Sequence, residues 1–330
     1  MEQKRNLKKN TKRNIERKRK QLKLKKMYFY RMILLMASVF TVMIIGVVAS
    51  FSKEKEMALE AAMASETNAV KMDYEEAVRG MTLYDRDEHN ISKERADELL
   101  KDYASQFGIS ESAYTKEVRE LLMNHYEARD FVFNYPVNFG KATASDADAD
   151  SYYDIDYRSG VPHLYQWDTR WGFMKYGSDA LGITGCGPTS LSMVAIYLLK
   201  DTKYTPDYIA QFSVDEGFAI EGNGTSWALM SEGAQKLGLL SVDVALDENR
   251  MAEQLLAGRP LICILGPGRF TDNGHFIVIT GYEDYEMVDG IYTNGKFVIN
   301  DPNCVKNSER KWSLSEFQND IGAVWAYTLP

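Results

Sequence analysis

The stretch Gly185-Cys186-Gly187-Pro188-Thr189-Ser190 leads directly into the apolar run Leu191 to Leu199, and this junction constrains the fold more than any other part of the chain. Proline is favoured in the first turn of a helix, where its missing N–H costs nothing, and Leu191, Val194, Ala195 and Leu198 recur at helical spacing. The junction predicts a buried helix that starts just after Cys186. A thiol at a helix N-terminus meets the positive end of the macrodipole and unpaired backbone N–H groups, and both favour the nucleophilic thiolate. Gly185 and Gly187 are expected to leave room for a substrate to reach the sulfur. The stretch alone leaves a second reading open, a small buried cysteine ahead of a core helix, because free Cys is among the most buried residue types.

Charge divides the chain unevenly. Residues 1–31 hold fourteen Lys or Arg against two Glu, while the rest of the chain is strongly acidic, the overall net charge being −8. Between them, residues 32–52 carry no charge and are largely apolar. A helix needs roughly 20 such residues to span a hydrocarbon core, so residues 32–52 are expected to form a transmembrane helix. The basic arm is too long for the start of a cleavable signal peptide. Its excess of Lys and Arg is expected to hold the N-terminus in the cytoplasm and to put everything after Ser52 outside the cell membrane, as a single-pass protein. Topology and anionic lipid account for this arm, and nucleic acid is not expected as a partner.

The three cysteines, Cys186, Cys263 and Cys304, cannot all pair with one another. An odd thiol in an external domain implies an intermolecular bridge or a free reactive group. Cys263 lies within the apolar run Leu261 to Leu265 and is expected to pack in the core. With no CxxC pair, no clustered Cys/His spacing and no Gly-rich phosphate loop, neither a metal nor another cofactor is expected.

Beyond the membrane, residues 53–140 read as a helical stalk or pre-domain. Ser92 is placed to cap a helix carrying Ala96, Leu99, Leu100, Tyr103 and Phe107, and a second helix is predicted from about Thr115 to Asp130, with His125 continuing its apolar stripe. Residues 141–158 are mostly Ala, Asp and Ser without period and read as a linker. The main domain, 159–330, begins with helical patterns: the helix after Cys186, Thr205-Pro206 to Phe212, Thr225 to Leu237, and Asp247 to Gly258. Strand patterns follow at Leu261–Leu265, His275–Thr280, Lys296–Asn300 and Ala323–Thr328. Helices followed by strands argue for an α+β fold.

A cysteine nucleophile needs a base, a group that orients the base, and donors for the oxyanion. Among only four histidines, His275 opens an apolar strand after a Gly-rich loop and can face a cleft while the strand behind it is core; a structural histidine is the other reading. Asp301 stands at the end of the next strand, where antiparallel pairing can bring it beside His275; on its own it is equally a turn residue before proline. Gln166, twenty residues before Cys186 and flanked by Trp167 and Trp171, can offer a side-chain N–H to pair with the backbone N–H of Cys186 in an oxyanion hole.

The set Val161-Pro162, Gln166-Trp167-Asp168, Arg170-Trp171-Gly172, Gly185-Cys186-Gly187-Pro188-Thr189, Gly224-Thr225-Ser226-Trp227, Gly274-His275-Phe276-Ile277-Val278 and Asn300-Asp301-Pro302-Asn303 resembles the bacterial papain-like cysteine peptidases. More narrowly, it is similar to relatives of the bacteriocin-processing double-glycine peptidases, cysteine peptidase family thirty-nine. The resemblance implies a helical half bearing the cysteine, packed on an antiparallel sheet bearing histidine and aspartate. It makes Cys186 the nucleophile, His275 the general base and acid, Asp301 the orienting residue and Gln166 the oxyanion donor. The processing members belong to export transporters, and this chain shows no transporter or ATPase segment, so leader processing is not the expected role. The expected activity is a cell-surface cysteine peptidase that cuts amide bonds of peptides or proteins, as a monomer. Two alternatives stay open: hydrolysis of cell-wall peptides, and a catalytically silent binding module on the same scaffold.

Overall fold

The computed structural model describes residues 89–141, 155–222 and 224–330. The basic arm, the predicted transmembrane helix at 32–52, the first part of the predicted stalk and most of the 141–158 linker lie outside the described residues. Among the described residues, no helix is long and apolar enough to cross a membrane.

Residues 89–141 carry three helices: α1 (Lys93–Phe107), α2 (Lys116–Asn124) and α3 (Arg129–Asn138). Ser92 caps α1 by accepting from the Arg95 N–H, and Gly108 closes it in the left-handed conformation that glycine adopts without penalty. The second helix stops short of the predicted Asp130. His125 turns out of helical geometry (φ −143°), and the chain makes one tight turn before α3 begins. That turn re-aims the chain so that Phe131, Val132, Phe133 and Tyr135 are all buried, which a straight continuation of α2 would not allow. The described residues all belong to one compact unit.

In the rest of that unit, α4 (Cys186–Leu199) and α5 (Pro206–Asp215) precede α6 (Glu248–Leu256). The helix predicted over 225–237 is shorter: Gly224–Thr225 pairs as a strand with Ala219–Ile220, and the helical turns run from Leu229 to Lys236. The strands are β1 (Leu240–Asp243), β2 (Leu261–Leu265), β3 (His275–Glu283), β4 (Lys296–Asn300), β5 (Lys311–Trp312) and β6 (Ile321–Thr328). They form one antiparallel sheet in the order β5-β4-β3-β2-β6-β1. The short edge strands β1 and β5 have no strong apolar run to announce them.

The central strands are buried on both faces, which is why β2 and β3 read as continuous apolar runs and not as alternations. Ile262, Ile264, Phe276 and Val278 point to the core shared with α4, where Leu191, Val194 and Ala195 are fully buried. Leu261, Cys263, Leu265, Ile277 and Ile279 point the other way, onto Met251 and Leu255 of α6 and onto Trp312 and Phe317. The result is an α+β domain with the cysteine helix on one face of an antiparallel sheet.

The acidic, Tyr-rich segment between β3 and β4 folds as a hairpin, Glu286–Val288 against Ile291–Thr293. Its turn residues Asp289 and Gly290 both have positive φ, the requirement of a tight two-residue hairpin. Because β3 and β4 run antiparallel, with Lys296 opposite Glu283 and Asn300 opposite Val278, this hairpin sits at the end of the strands remote from His275. The insertion therefore leaves the approach of Asp301 to His275 undisturbed.

Candidate active site

Cys186 is the first residue of α4 and lies on the floor of a cleft of about 520 Å³. Packing around the thiol, besides any room for a substrate, demands both flanking glycines. A Cβ on Gly185 would stand 2.3 Å from the Leu181 carbonyl oxygen, and one on Gly187 would stand 2.6 Å from Thr225 Oγ1. Both are needed because the chain packs tightly on either side of Cys186, against the Leu181 carbonyl and against Thr225 of the cleft lining.

His275 opens β3 and is buried. Its Nε2 lies 2.8 Å from Asp301 Oδ1, and its ring also hydrogen-bonds the Cys186 sulfur, which leaves Nδ1 to face the thiol. Burial opposes a charge on His275. The Asp301 charge and hydrogen bond, together with the contact to Cys186, outweigh it and push the imidazole up to about 10. Burial also opposes the Cys186 thiolate, but the hydrogen bond and charge of His275 and the backbone N–H groups of Phe276 and Gly187 hold the thiol below its ordinary value. Opposite charges adjacent in a site of low polarity stabilise each other in this way.

Asp301 is fully buried and densely held. Burial favours its neutral form, and the charge and hydrogen bond of His275, with donors from Asn307 and Asn303, reverse this and keep it an anion. Oδ1 also accepts from the backbone N–H groups of Asn303 (2.9 Å) and Cys304 (3.1 Å), and Oδ2 accepts from Asn307 Nδ2 (2.7 Å). Its own backbone is clamped too: the N–H donates to Ser308 Oγ at 2.9 Å, and the carbonyl oxygen is 2.9 Å from His163 Nε2. His163, Asn307 and Ser308 were not singled out from the sequence. Asn307 and Ser308 follow Asp301 on a four-residue helical turn, and no pattern in the sequence marks a short turn as a cradle.

Gln166 lines the same cleft, but its amide is occupied. Nε2 donates to the carbonyls of Gly182 (3.0 Å) and Ile183 (3.1 Å), and the buried Oε1 has no partner among the described residues. Trp171 donates its indole N–H to Tyr165 O, and Trp167 to Asn303 O, which ties the Gln166 segment to the loop after Asp301. Trp227, half exposed, forms one wall of the cleft and is braced edge-on by Trp325. Apart from His275, no charged side chain lines the cleft among the described residues.

The other two thiols differ. Cys263 is fully buried in the core behind the sheet, and burial pushes its thiol well up. Cys304, beside Asp301, is pushed up to about 12, first by burial and then by the Asp301 carboxylate. His125, whose ring is buried, is pushed down to about 4 by that burial, and His89 lies between Glu127 (3.4 Å) and Glu309 (3.3 Å). Among the described residues, no cluster of His, Cys, Asp or Glu is arranged to hold a metal ion.

Residues 158–328 match the Peptidase_C39 like family, more than half of the chain. The chain belongs to that family. The match spans Gln166, Cys186, His275 and Asp301, and it makes the domain a relative of the C39 cysteine peptidases. No curated protein matches the chain. The C39-like domain begins close to Ile155, where the described chain resumes, so the helices of residues 89–141 lie outside the match.

Proposed function

We propose that this protein is a membrane-anchored thiol hydrolase whose C39-like domain acts outside the cell on peptide or protein amide bonds. The single observation that carries the reading is His275 held between Asp301 and Cys186, in surroundings that favour the thiolate–imidazolium pair. The uncharged run at 32–52 and the basic arm before it support the anchor and its orientation.

In this mechanism the Cys186 thiolate attacks the scissile carbonyl, and His275, already protonated, gives its proton to the leaving amine. The backbone N–H of Cys186 supports the oxyanion, joined by Gln166 when one of its N–H groups trades a carbonyl partner for the substrate oxygen. Removing one such donor typically costs about 100- to 1,000-fold. Water, deprotonated by the now neutral His275, then cleaves the thioester and restores the pair. Asp301 holds the imidazole in the orientation that serves both steps.

Apart from the Cys186–His275 pair itself, no charged side chain lines the described cleft, which favours uncharged residues on either side of the scissile bond, since an ionised group moved out of water without a partner is costly. The test is digestion of a mixed peptide library and of purified wall material by the full chain and by Cys186→Ala. Thiol-dependent release of amino groups from peptides supports the reading. Release from wall alone redirects it to wall hydrolysis, and no release by either protein leaves a binding module.

A further inference from the structure

Two glycines of the C39-like domain are shaped around a residue from outside it. Gly172 and Gly182 have ordinary backbone angles, so conformation does not demand glycine there. Space does. A Cβ on Gly182 would stand 2.5 Å from Cζ of Phe131, whereas one on Gly172 would meet both its own loop, 2.9 Å from the Asp168 carbonyl oxygen, and Cδ2 of the same ring at 3.0 Å. The two glycines are joined by a hydrogen bond, Gly182 N to Gly172 O at 2.9 Å, and together they form a notch. Phe131, on α3, fills it, is 1% exposed, and stacks on Phe173 with ring centroids 5.1 Å apart. Two further bonds hold α3 in place: Tyr135 Oη donates to Asp179 Oδ1 at 2.9 Å, and Gly140 N donates to Phe173 O at 2.9 Å.

Behind the notch stands the thiol site. The carbonyls of Gly182 and Ile183 hold the Gln166 amide, and the turn Leu181–Thr184 runs through Gly185 into the helix that opens with Cys186. A second contact reaches the opposite side of the site, where His89 meets Glu309 eight residues after Asp301. The described residues that line the cleft all fall between Gln166 and Asn303, so residues 89–141 support the site from behind and leave its mouth open.

We propose that residues 89–141 are a positioning element of the thiol site, acting through Phe131 in the Gly172–Gly182 notch, and neither a spacer nor a plug of the cleft. This rests on the reading of Cys186 as an activated nucleophile. Phe131 touches no reacting atom. Without its ring, the 181–184 turn is free to settle into the vacated space, taking the Gln166 anchor and the first turn of α4 away from His275. A displacement of about 1 Å in a catalytic group can cost about 100-fold in rate.

The test uses the full chain, labelled with iodoacetamide across a pH series, with mass spectrometry separating Cys186 from Cys263 and Cys304, and with thermal unfolding in parallel. Phe131→Ala is expected to slow Cys186 labelling at pH 6 by about 10-fold or more, to move its pH profile upward, and to lower kcat on a cleaved peptide more than it raises KM. Phe131→Leu, which keeps much of the bulk, recovers most of the rate. Gly182→Ala drives a methyl into the ring and gives the same defect, relieved when combined with Phe131→Leu. A folded Phe131→Ala with a lower Tm but an unchanged Cys186 rate and pH profile overturns the proposal and leaves Phe131 a packing residue. If Phe131→Ala does not fold, the Gly182→Ala pair decides, and absence of relief overturns it. Failure of the unmodified chain to label Cys186 selectively is a separate outcome, which overturns the thiol-hydrolase reading itself.

Discussion

Cys186 and Cys304 lie on opposite sides of the same His275–Asp301 pair, both partly buried, yet their thiols are pushed in opposite directions. Burial disfavours the thiolate at both positions. The difference is the neighbouring charge: each thiol meets two backbone N–H donors, but Cys186 also meets the imidazolium, whereas Cys304 meets the Asp301 carboxylate. Reactivity here is decided by the sign of the adjacent charge and not by exposure, and the His–Asp pair supplies one sign to each side.

The most severe way to break this contrast is His275→Ala. It removes the cation and the proton shuttle together, and turnover should fall by about 1,000- to 10,000-fold. Cys186 should then label with iodoacetamide at pH 6 no faster than Cys304. Survival of selective labelling would show that the helix N-terminus alone activates the thiol.

Asp301→Asn should have the next largest effect, with turnover reduced by about 100-fold or more. It should also bring the two thiols together, since losing the carboxylate weakens the imidazolium beside Cys186 and removes the anion beside Cys304. Labelling rates of both residues against pH, measured on one sample, check this; movement of Cys186 alone would show that Asp301 does not govern Cys304.

The pH dependence sharpens the comparison further. The His275 pKa is raised to about 10 from an unfolded value of about 6.5, so its contribution to stability is complete below the latter and is lost as pH rises through about 10. Asp301 is depressed, so its contribution is present above the ordinary carboxylate value and is lost as pH falls through its lower folded value. Cys186 is depressed as well, which puts the rise of its labelling rate below the ordinary thiol range and the ion pair between that point and about 10. Tm and labelling profiles over pH 3 to 11 test these signs; a Cys186 profile rising only near pH 9 contradicts the pairing.

Asn307→Ala leaves Asp301 Oδ2 without its side-chain donor, and a hydrogen bond to a charged group is worth about 1.5–3 kcal/mol. A roughly tenfold loss of kcat with little change in KM is expected from steady-state kinetics. Cys304→Ser is the smallest change, expected to alter turnover by less than about twofold, because a thiol held near pKa 12 is not a nucleophile at neutral pH.

Much of this arrangement was legible along the chain. The run after Pro188 marked the cysteine helix, the apolar blocks at 261–265 and 296–300 marked strands with the bounds they have in the fold, and Asp247 marked the start of α6 by its capping role. These signals are local, carried by period, capping and proline within one turn or one strand. Candidate site residues were legible because nucleophile, base and carboxylate are scarce types placed at element ends, with only four histidines and three cysteines to choose from.

What the sequence by itself determined is therefore the set of elements, their order, and the residue types able to act. The tertiary structure decided their relations. It assigned the glycines beside Cys186 to tight packing, it turned the Gln166 amide onto the Gly182 and Ile183 carbonyls, and it surrounded Asp301 with His163, Asn307 and Ser308. It also brought Phe131 into a notch between two glycines more than forty residues away in sequence. A cavity, a clash or a buried charge exists only between segments, so no local pattern encodes it; chain folding first has to bring the two sides together.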